Sequence, residues 1–169
     1  MVELVVPTRA AIAHHEAGHA IAYIRRGYNF RYVTLHPRNA EELGLVRPWR
    51  PQPMRGTDHA QISAAGPLAE LCYTTISSED PEDFDIEDLL SAFLLQARWA
   101  DLGTSAGADV DAYKRVYRAG TDAWRHVAEQ VAEDWPVVVA VAEALLDSPR
   151  ALTYREVQAI AMPLINGAR

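Results

Sequence analysis

The segment H-E-A-G-H at residues 15–19 constrains this chain more than any other part of its sequence. Thr8 is suited to cap the start of a helix, and Gly27 is suited to follow its end. We therefore expect one helix over residues 9–26, with the motif in its middle. Glycine inside a helix costs about 1 kcal/mol relative to alanine, so the small residues Ala17 and Gly18 favour a functional site, where they would let other elements approach a bound metal.

The two histidines and the glutamate of the motif predict a metal site. His15 and His19 are four residues apart and lie on the same face of the expected helix, where both imidazoles can bind one metal ion. Glu16 stands about 100° round the helix axis and can reach a water molecule beside that ion. Zinc lowers the pKa of such a water toward about 7, and a nearby carboxylate can accept its proton during attack on a carbonyl group. The spacing therefore predicts a zinc hydrolase in which Glu16 is the base.

A catalytic zinc ion usually has a third protein ligand, and the residues alone leave its identity open. Cys72 lies in the apolar run L-A-E-L-C-Y and is expected to be a buried structural thiol. The carboxylates that remain are Glu70 and the acidic cluster of residues 79–88. Acids gathered at a helix N-terminus are already explained by the helix dipole, so composition does not choose among them.

The rest of the chain predicts a mainly α fold of the α+β class, as a single domain over residues 1–169. The runs F-R-Y-V-T-L-H-P and L-G-L-V-R-P-W favour a small two- or three-stranded sheet near residues 30–48. Pro136 is expected to bend or split the longest helix, and the T-x-x-E sequence that begins at Thr153 predicts a capping box. The further helices are expected over residues 57–75, from Pro81 or Asp85 to Leu102, and over residues 107–119, 121–147 and 153–162.

The composition argues against several classes of protein. The formal net charge of −7 disfavours nucleic-acid binding, which needs a basic face. The longest apolar run, which begins at Val137, is interrupted by Glu143 and is shorter than the roughly 20 residues of a membrane span. With one cysteine and no basic-then-apolar leader in M-V-E-L-V-V-P-T-R-A, we expect a cytoplasmic protein without an internal disulfide.

Several motifs in order resemble the peptidase domain of the FtsH family of AAA+ zinc metalloproteases. H-E-A-G-H-A is followed by V-T-L-H-P-R, L-G-L-V-R-P-W-R-P, A-A-G-P-L-A-E-L and D-F-D-I-E-D-L, and the match covers about residues 9–90. The resemblance implies that His15, His19 and Asp85 bind Zn²⁺ and that Glu16 is the catalytic base. The chain differs from the family where Phe84 replaces an asparagine before the aspartate, and no family motif falls in residues 103–120.

A short aspartate is well placed as a ligand, and we therefore expect Glu70 to be the residue that holds a ligand histidine in orientation. The family fuses an ATPase and a membrane anchor to its peptidase, but the only lysine, Lys114, lies in A-Y-K-R-V-Y and not in a phosphate loop. We therefore expect a free-standing zinc metallopeptidase that hydrolyses flexible or unfolded polypeptides without ATP hydrolysis of its own. An extended substrate is expected beside the strand at residues 31–36.

Two other functions are compatible with the sequence. The first is a regulatory or binding module that keeps the metallopeptidase fold, with or without the metal, but has no turnover. The second is a zinc hydrolase of a small amide such as a formyl group, although deformylases supply a cysteine ligand ahead of their H-E-x-x-H and none precedes His15 here. A homo-oligomer and a separate ATPase partner are both compatible with the chain.

Overall fold

The structure is a computed structural model that describes residues 7–36, 43–49, 52–76, 85–101 and 122–167. These residues form a mainly helical α+β fold, as the sequence predicts. The elements in chain order are α1 (Arg9–Arg25), β1 (Phe30–Thr34), β2 (Leu45–Pro48), α2 (Gly56–Ile76), α3 (Ile86–Asp101), α4 (Asp122–Glu133), α5 (Trp135–Asp147), β3 (Leu152–Thr153) and α6 (Tyr154–Gly167). The helix expected over residues 107–119 lies outside the described residues.

Helix α1 begins and ends where its sequence predicts. The Thr8 hydroxyl accepts a hydrogen bond from the N–H of Ala11 at 3.1 Å, which satisfies one of the unpaired donors of the first turn. At the other end, Gly27 has a φ of +73°, and the N–H of Tyr28 reaches back to the carbonyl of Tyr23 at 3.0 Å. This pairing is a Schellman motif, which needs the left-handed conformation that glycine adopts without strain.

The sheet is antiparallel and has the order β2-β1-β3, so β1 is its central strand. The strands at residues 30–34 and 45–48 confirm the two β-rich runs, but the third strand lies far along the chain, at Leu152–Thr153. Two residues are too few for an alternating pattern that sequence can reveal. The expectation that substrate lies beside the strand at residues 31–36 is not met at Tyr32 and Val33, where β1 is paired on both of its edges.

Two proline-containing regions behave differently. Helix α2 continues through Pro67, and its small residues pack against α1. The expected long helix is split at Asp134, with Pro136 in the first turn of α5. Asp134 uses its carbonyl oxygen to accept the N–H groups of Val137 and Val138, both at 2.9 Å, so the break keeps its backbone groups paired.

One hydrophobic core joins α1, α2, β1 and the C-terminal helices. Phe30 and Val33 on β1 are completely buried, and so are Leu68 on α2 and Val157 on α6. The capping box that was expected near residue 153 is present: the Glu156 carboxylate accepts the N–H of Thr153 at 2.8 Å. None of the helices in the described part of the chain is both long and apolar enough to cross a membrane.

Candidate metal centre

The two motif histidines face each other on α1, at the interface with α2. Their Nε2 atoms are 3.0 Å apart, and their ring centroids are 4.7 Å apart. Two nitrogen ligands bound tetrahedrally at about 2.0–2.1 Å from zinc lie about 3.3 Å from each other. The separation of the Nε2 atoms in His15 and His19 is therefore close to the one that a shared zinc ion requires.

Helix α2 fixes both rings through their other nitrogen. His15 Nδ1 is 2.8 Å from Glu70 Oε2, and His19 Nδ1 is 2.7 Å from the carbonyl oxygen of Ile62. A carbonyl oxygen only accepts, so Nδ1 of His19 carries the hydrogen, and the carboxylate assigns the same tautomer to His15. In the neutral rings, both Nε2 atoms then carry lone pairs, and these two atoms are 3.0 Å apart. This donor set fits a metal ion such as Zn²⁺.

The contact of Glu70 with His15 is the one that its expected orienting role requires. Glu70 is one helical residue among several acids in the sequence, and its position opposite His15 depends on how α2 packs on α1. The packing is close because Gly18 has no side chain: a Cβ there would lie 2.5 Å from the carbonyl oxygen of Ala65 and 2.7 Å from Ala69 Cβ. Gly18 thus lets α2 approach α1 closely, and α2 is the helix from which Glu70 reaches His15.

Glu16 is buried, with 6% of its surface exposed, on the turn that also carries His15 and His19. Its carboxylate lies under the chain that leads into β2, because a Cβ built at Gly44 would be 2.6 Å from Glu16 Oε1. A buried carboxylate on the same helical turn as two metal-binding histidines can accept a proton from a water molecule that attacks a bound carbonyl.

Asp85 lies apart from these residues. It is exposed at the N-terminus of α3, where its Oδ1 accepts the N–H of Glu87 at 2.8 Å. Within the described ranges, no group of three or more His, Cys, Asp or Glu side chains is arranged to hold a metal ion. The structure therefore joins His15 to His19 and to Glu70 and carries Glu16 on the same turn of α1, and within these ranges Asp85 does not complete a metal-binding group with them. Asp83, the nearest alternative in sequence, lies outside the described residues.

Cys72 and His14 belong to the packing of the helices. The Cys72 thiol is fully buried, as expected for a structural thiol, and burial raises its pKa to about 12. His14 stacks on Tyr73 with ring centroids 4.2 Å apart and lies 5.4 Å from the ring of Trp135. Burial lowers the pKa of His14, which favours the neutral ring.

Three backbone positions at the site are absent from the residues that the sequence singles out. They are the carbonyl of Ile62, which holds His19, and two glycines, Gly44 and Gly66. A Cβ at Gly66 would overlap His19 Nε2 itself. The only sequence signal for them is a preference for small residues, in A-A-G-P on α2 and in L-G-L before β2. A carbonyl partner leaves no signal, since every residue has a carbonyl group.

Comparisons with known proteins add no family to this geometry. No protein-family model matches the chain, and no curated protein matches it significantly.

Proposed function

We propose that this chain is a zinc-dependent metallopeptidase of the FtsH peptidase type that hydrolyses peptide bonds in flexible polypeptides. The observation that carries the proposal is the convergence of two Nε2 atoms at 3.0 Å, each on a ring whose Nδ1 is already held. Histidines that only happen to be neighbours on a helix surface do not need a hydrogen bond at each Nδ1. Metal-binding histidines have this hydrogen bond because it fixes the tautomer and the ring orientation.

When bound, Zn²⁺ would polarise the substrate carbonyl and lower the pKa of water at the site toward about 7. His15 and His19 would hold the ion, and Glu70 keeps His15 in the tautomer that leaves Nε2 available. Glu16 accepts a proton from the attacking water while the water oxygen forms a bond to the carbonyl carbon. It then delivers this proton to the amide nitrogen as the C–N bond breaks.

The substrate in this proposal is an extended polypeptide at the outer edge of β2. Strand β2 is the outer strand on its side of the described sheet, and it begins directly after the residue that covers Glu16. Peptides commonly bind to such edges by adding a strand, and specificity comes from neighbouring side chains. Leu43 and Trp49 stand at the two ends of β2 with 50% and 52% of their surface exposed. They are suited to contact apolar side chains of a bound peptide.

The proposal includes a cytoplasmic location, to which the free thiol of Cys72 is suited because thiols stay reduced there. It also includes independence from ATP, so that flexible chains are cleaved in preference to folded ones, whose local opening is rare.

The test of the base is Glu16→Gln in zinc-reconstituted protein. The variant should keep its zinc content and its fold but lose most cleavage of an unstructured polypeptide, because an amide cannot accept the proton. Glu129→Gln, the same change on the exposed side of α4, is the matched control and should cleave like the wild type. Cleavage that survives in Glu16→Gln refutes the assigned role.

Asp85 completes the ligand set in the proposal, as the family resemblance implies, and for this it has to leave the N–H of Glu87 and approach the two histidines. Asp85→Ser is the sharpest test, because serine also caps helices but lacks the carboxylate. Zinc affinity should fall strongly in Asp85→Ser while the thermal unfolding midpoint changes little. Affinity equal to that of the wild type contradicts the assignment.

The second candidate function is a binding module without turnover. It is favoured by the hydrogen bond in which Asp85, the expected third ligand, caps helix α3. Zinc-loaded wild-type protein that cleaves no member of a broad peptide library supports this second function over the first.

A further inference from the structure

The chain segment before β2 packs directly on the catalytic carboxylate of the proposed enzyme. An ideal Cβ at Gly44 would be 2.6 Å from both Cγ and Oε1 of Glu16 and 2.9 Å from its Cδ. Atoms of these types do not approach so closely without something moving. The present position of the Glu16 carboxylate is therefore available only because residue 44 has no side chain.

Both sides of this contact are held by regular structure. Glu16 is in the middle of α1, with Ala13, Ala17 and Ala20 of the same helix completely buried. Gly44 is next to Leu45, which is in register with Thr34 on β1. Strand β1 is paired on its other edge with β3, so the strand that begins directly after Gly44 belongs to a three-stranded sheet. The free end of the Glu16 side chain is the part that can give way.

We propose that Gly44 is a positioning residue for Glu16, a role that rests on the proposed peptidase function. Its backbone, which has no side chain, packs against the carboxylate and limits the rotamers that Glu16 can adopt. Because Gly44 leads into β2, the same segment joins the base to the strand edge at which the substrate is proposed to lie.

The kinetic test is Gly44→Ala in zinc-reconstituted protein. A misplacement of a catalytic group by about 1 Å can cost about 100-fold in rate, so kcat should fall by roughly 10- to 100-fold. KM and zinc content should change little, because the histidines and the outer edge of β2 are not touched by the new methyl group. Gly56→Ala is the matched control, since a Cβ there has open space around it, and it should keep the wild-type kcat. A Gly44→Ala enzyme with unchanged kcat overturns the proposal.

A second measurement needs no catalysis and separates this inference from the proposed function. Gly44→Ala should lower the midpoint of thermal unfolding in the wild-type background, and by much less in a Glu16→Ala background, where the carboxylate that it meets is gone. Equal losses in the two backgrounds show that the methyl group does not meet Glu16 and overturn the inference. If the protein has no peptidase activity but the two losses differ, the contact stands and the enzymatic proposal alone has failed.

Discussion

Helix α1 packs against other helices on two sides, and histidines on these two sides have different roles. The first side, which we call the metal face, consists of His15 and His19 of α1 with Ile62 and Glu70 of α2. Here both Nδ1 atoms are hydrogen-bonded, and the two Nε2 atoms lie 3.0 Å apart. On the second, which we call the closed face (His14, Tyr73, Trp135, Arg25 and Asp134), rings stack on rings and charges are paired.

His14 and His15 are neighbours in sequence, yet they belong to different faces. His14 Nδ1 hydrogen-bonds to the carbonyl of Ala10, four residues back on its own helix, at 2.7 Å. His15 Nδ1 instead hydrogen-bonds to a side chain of α2, 55 residues along the chain. A partner from another element aims the ring across the interface, whereas a partner from the same helix holds the ring against that helix. The direction of the first hydrogen bond therefore separates a candidate ligand from a packing residue.

The largest expected effect is the loss of a proposed ligand from the metal face. In His15→Phe, the ring shape is kept but no nitrogen remains, so the protein should fold and fail to hold stoichiometric zinc after dialysis. Elemental analysis measures this directly, with circular dichroism as the check on folding. Stoichiometric zinc in this variant would mean that the ion binds elsewhere.

The next largest effect belongs to the closed face. Arg25 donates to Asp134 through Nε at 2.8 Å and through a second nitrogen, and Asp134 is only 2% exposed. Arg25→Met leaves a buried carboxylate without its cation, which should cost about 3–5 kcal/mol of unfolding free energy in urea. Zinc affinity should stay unchanged, because the pair lies beyond the metal face.

Two further variants control this prediction. Arg125 pairs with Glu87 on the surface, where both side chains are well exposed, and Arg125→Met should change stability little. The double variant Arg25→Met with Asp134→Leu should recover much of the loss, since it removes the stranded charge. A double variant as unstable as Arg25→Met alone would assign the loss to packing.

The sequence predicted the local features of the fold and missed the long-range contacts. The start and end of α1, the break near Pro136 and the box at Thr153 depend on residues within a few positions of each other, which local rules describe. The Arg25–Asp134 pair joins residues 109 positions apart, and its aspartate differs in no local way from the exposed acids around it.

The candidate site follows the same division. His15, Glu16 and His19 are set by the period of one helix, so their spacing alone predicts a common site. Gly44 and Gly66 matter because of what packs against them, and a sequence does not show this. For Asp85, the sequence gives a place before α3 and the resemblance implies a ligand, whereas the hydrogen bond that makes its carboxylate a helix cap is visible only in the structure.

A smaller effect is expected for the orienting residue of the metal face. Glu70→Ala removes the acceptor of His15 Nδ1 but leaves both Nε2 atoms in place. Zinc affinity should therefore fall by roughly 10- to 100-fold, as is usual when such a partner is lost. Competition with a chelator of known affinity measures the change. Glu70→Gln keeps an acceptor oxygen and should lie between the wild type and Glu70→Ala, and full wild-type affinity in Glu70→Ala would remove Glu70 from the site.

The smallest effect should come from the residue next to the first ligand. His14→Phe keeps an aromatic ring between Tyr73 and Trp135 and loses only the hydrogen bond to Ala10, so stability should change by no more than about 1 kcal/mol. Zinc affinity should match the wild type, because His14 is held by its own helix and not across the metal face. The same substitution at two neighbouring residues should therefore have opposite results: His15→Phe should empty the metal site, and His14→Phe should leave it intact. If His14→Phe also loses zinc, the two faces are coupled through α1, and packing of the aromatic rings helps to set the angle at which His15 meets the metal.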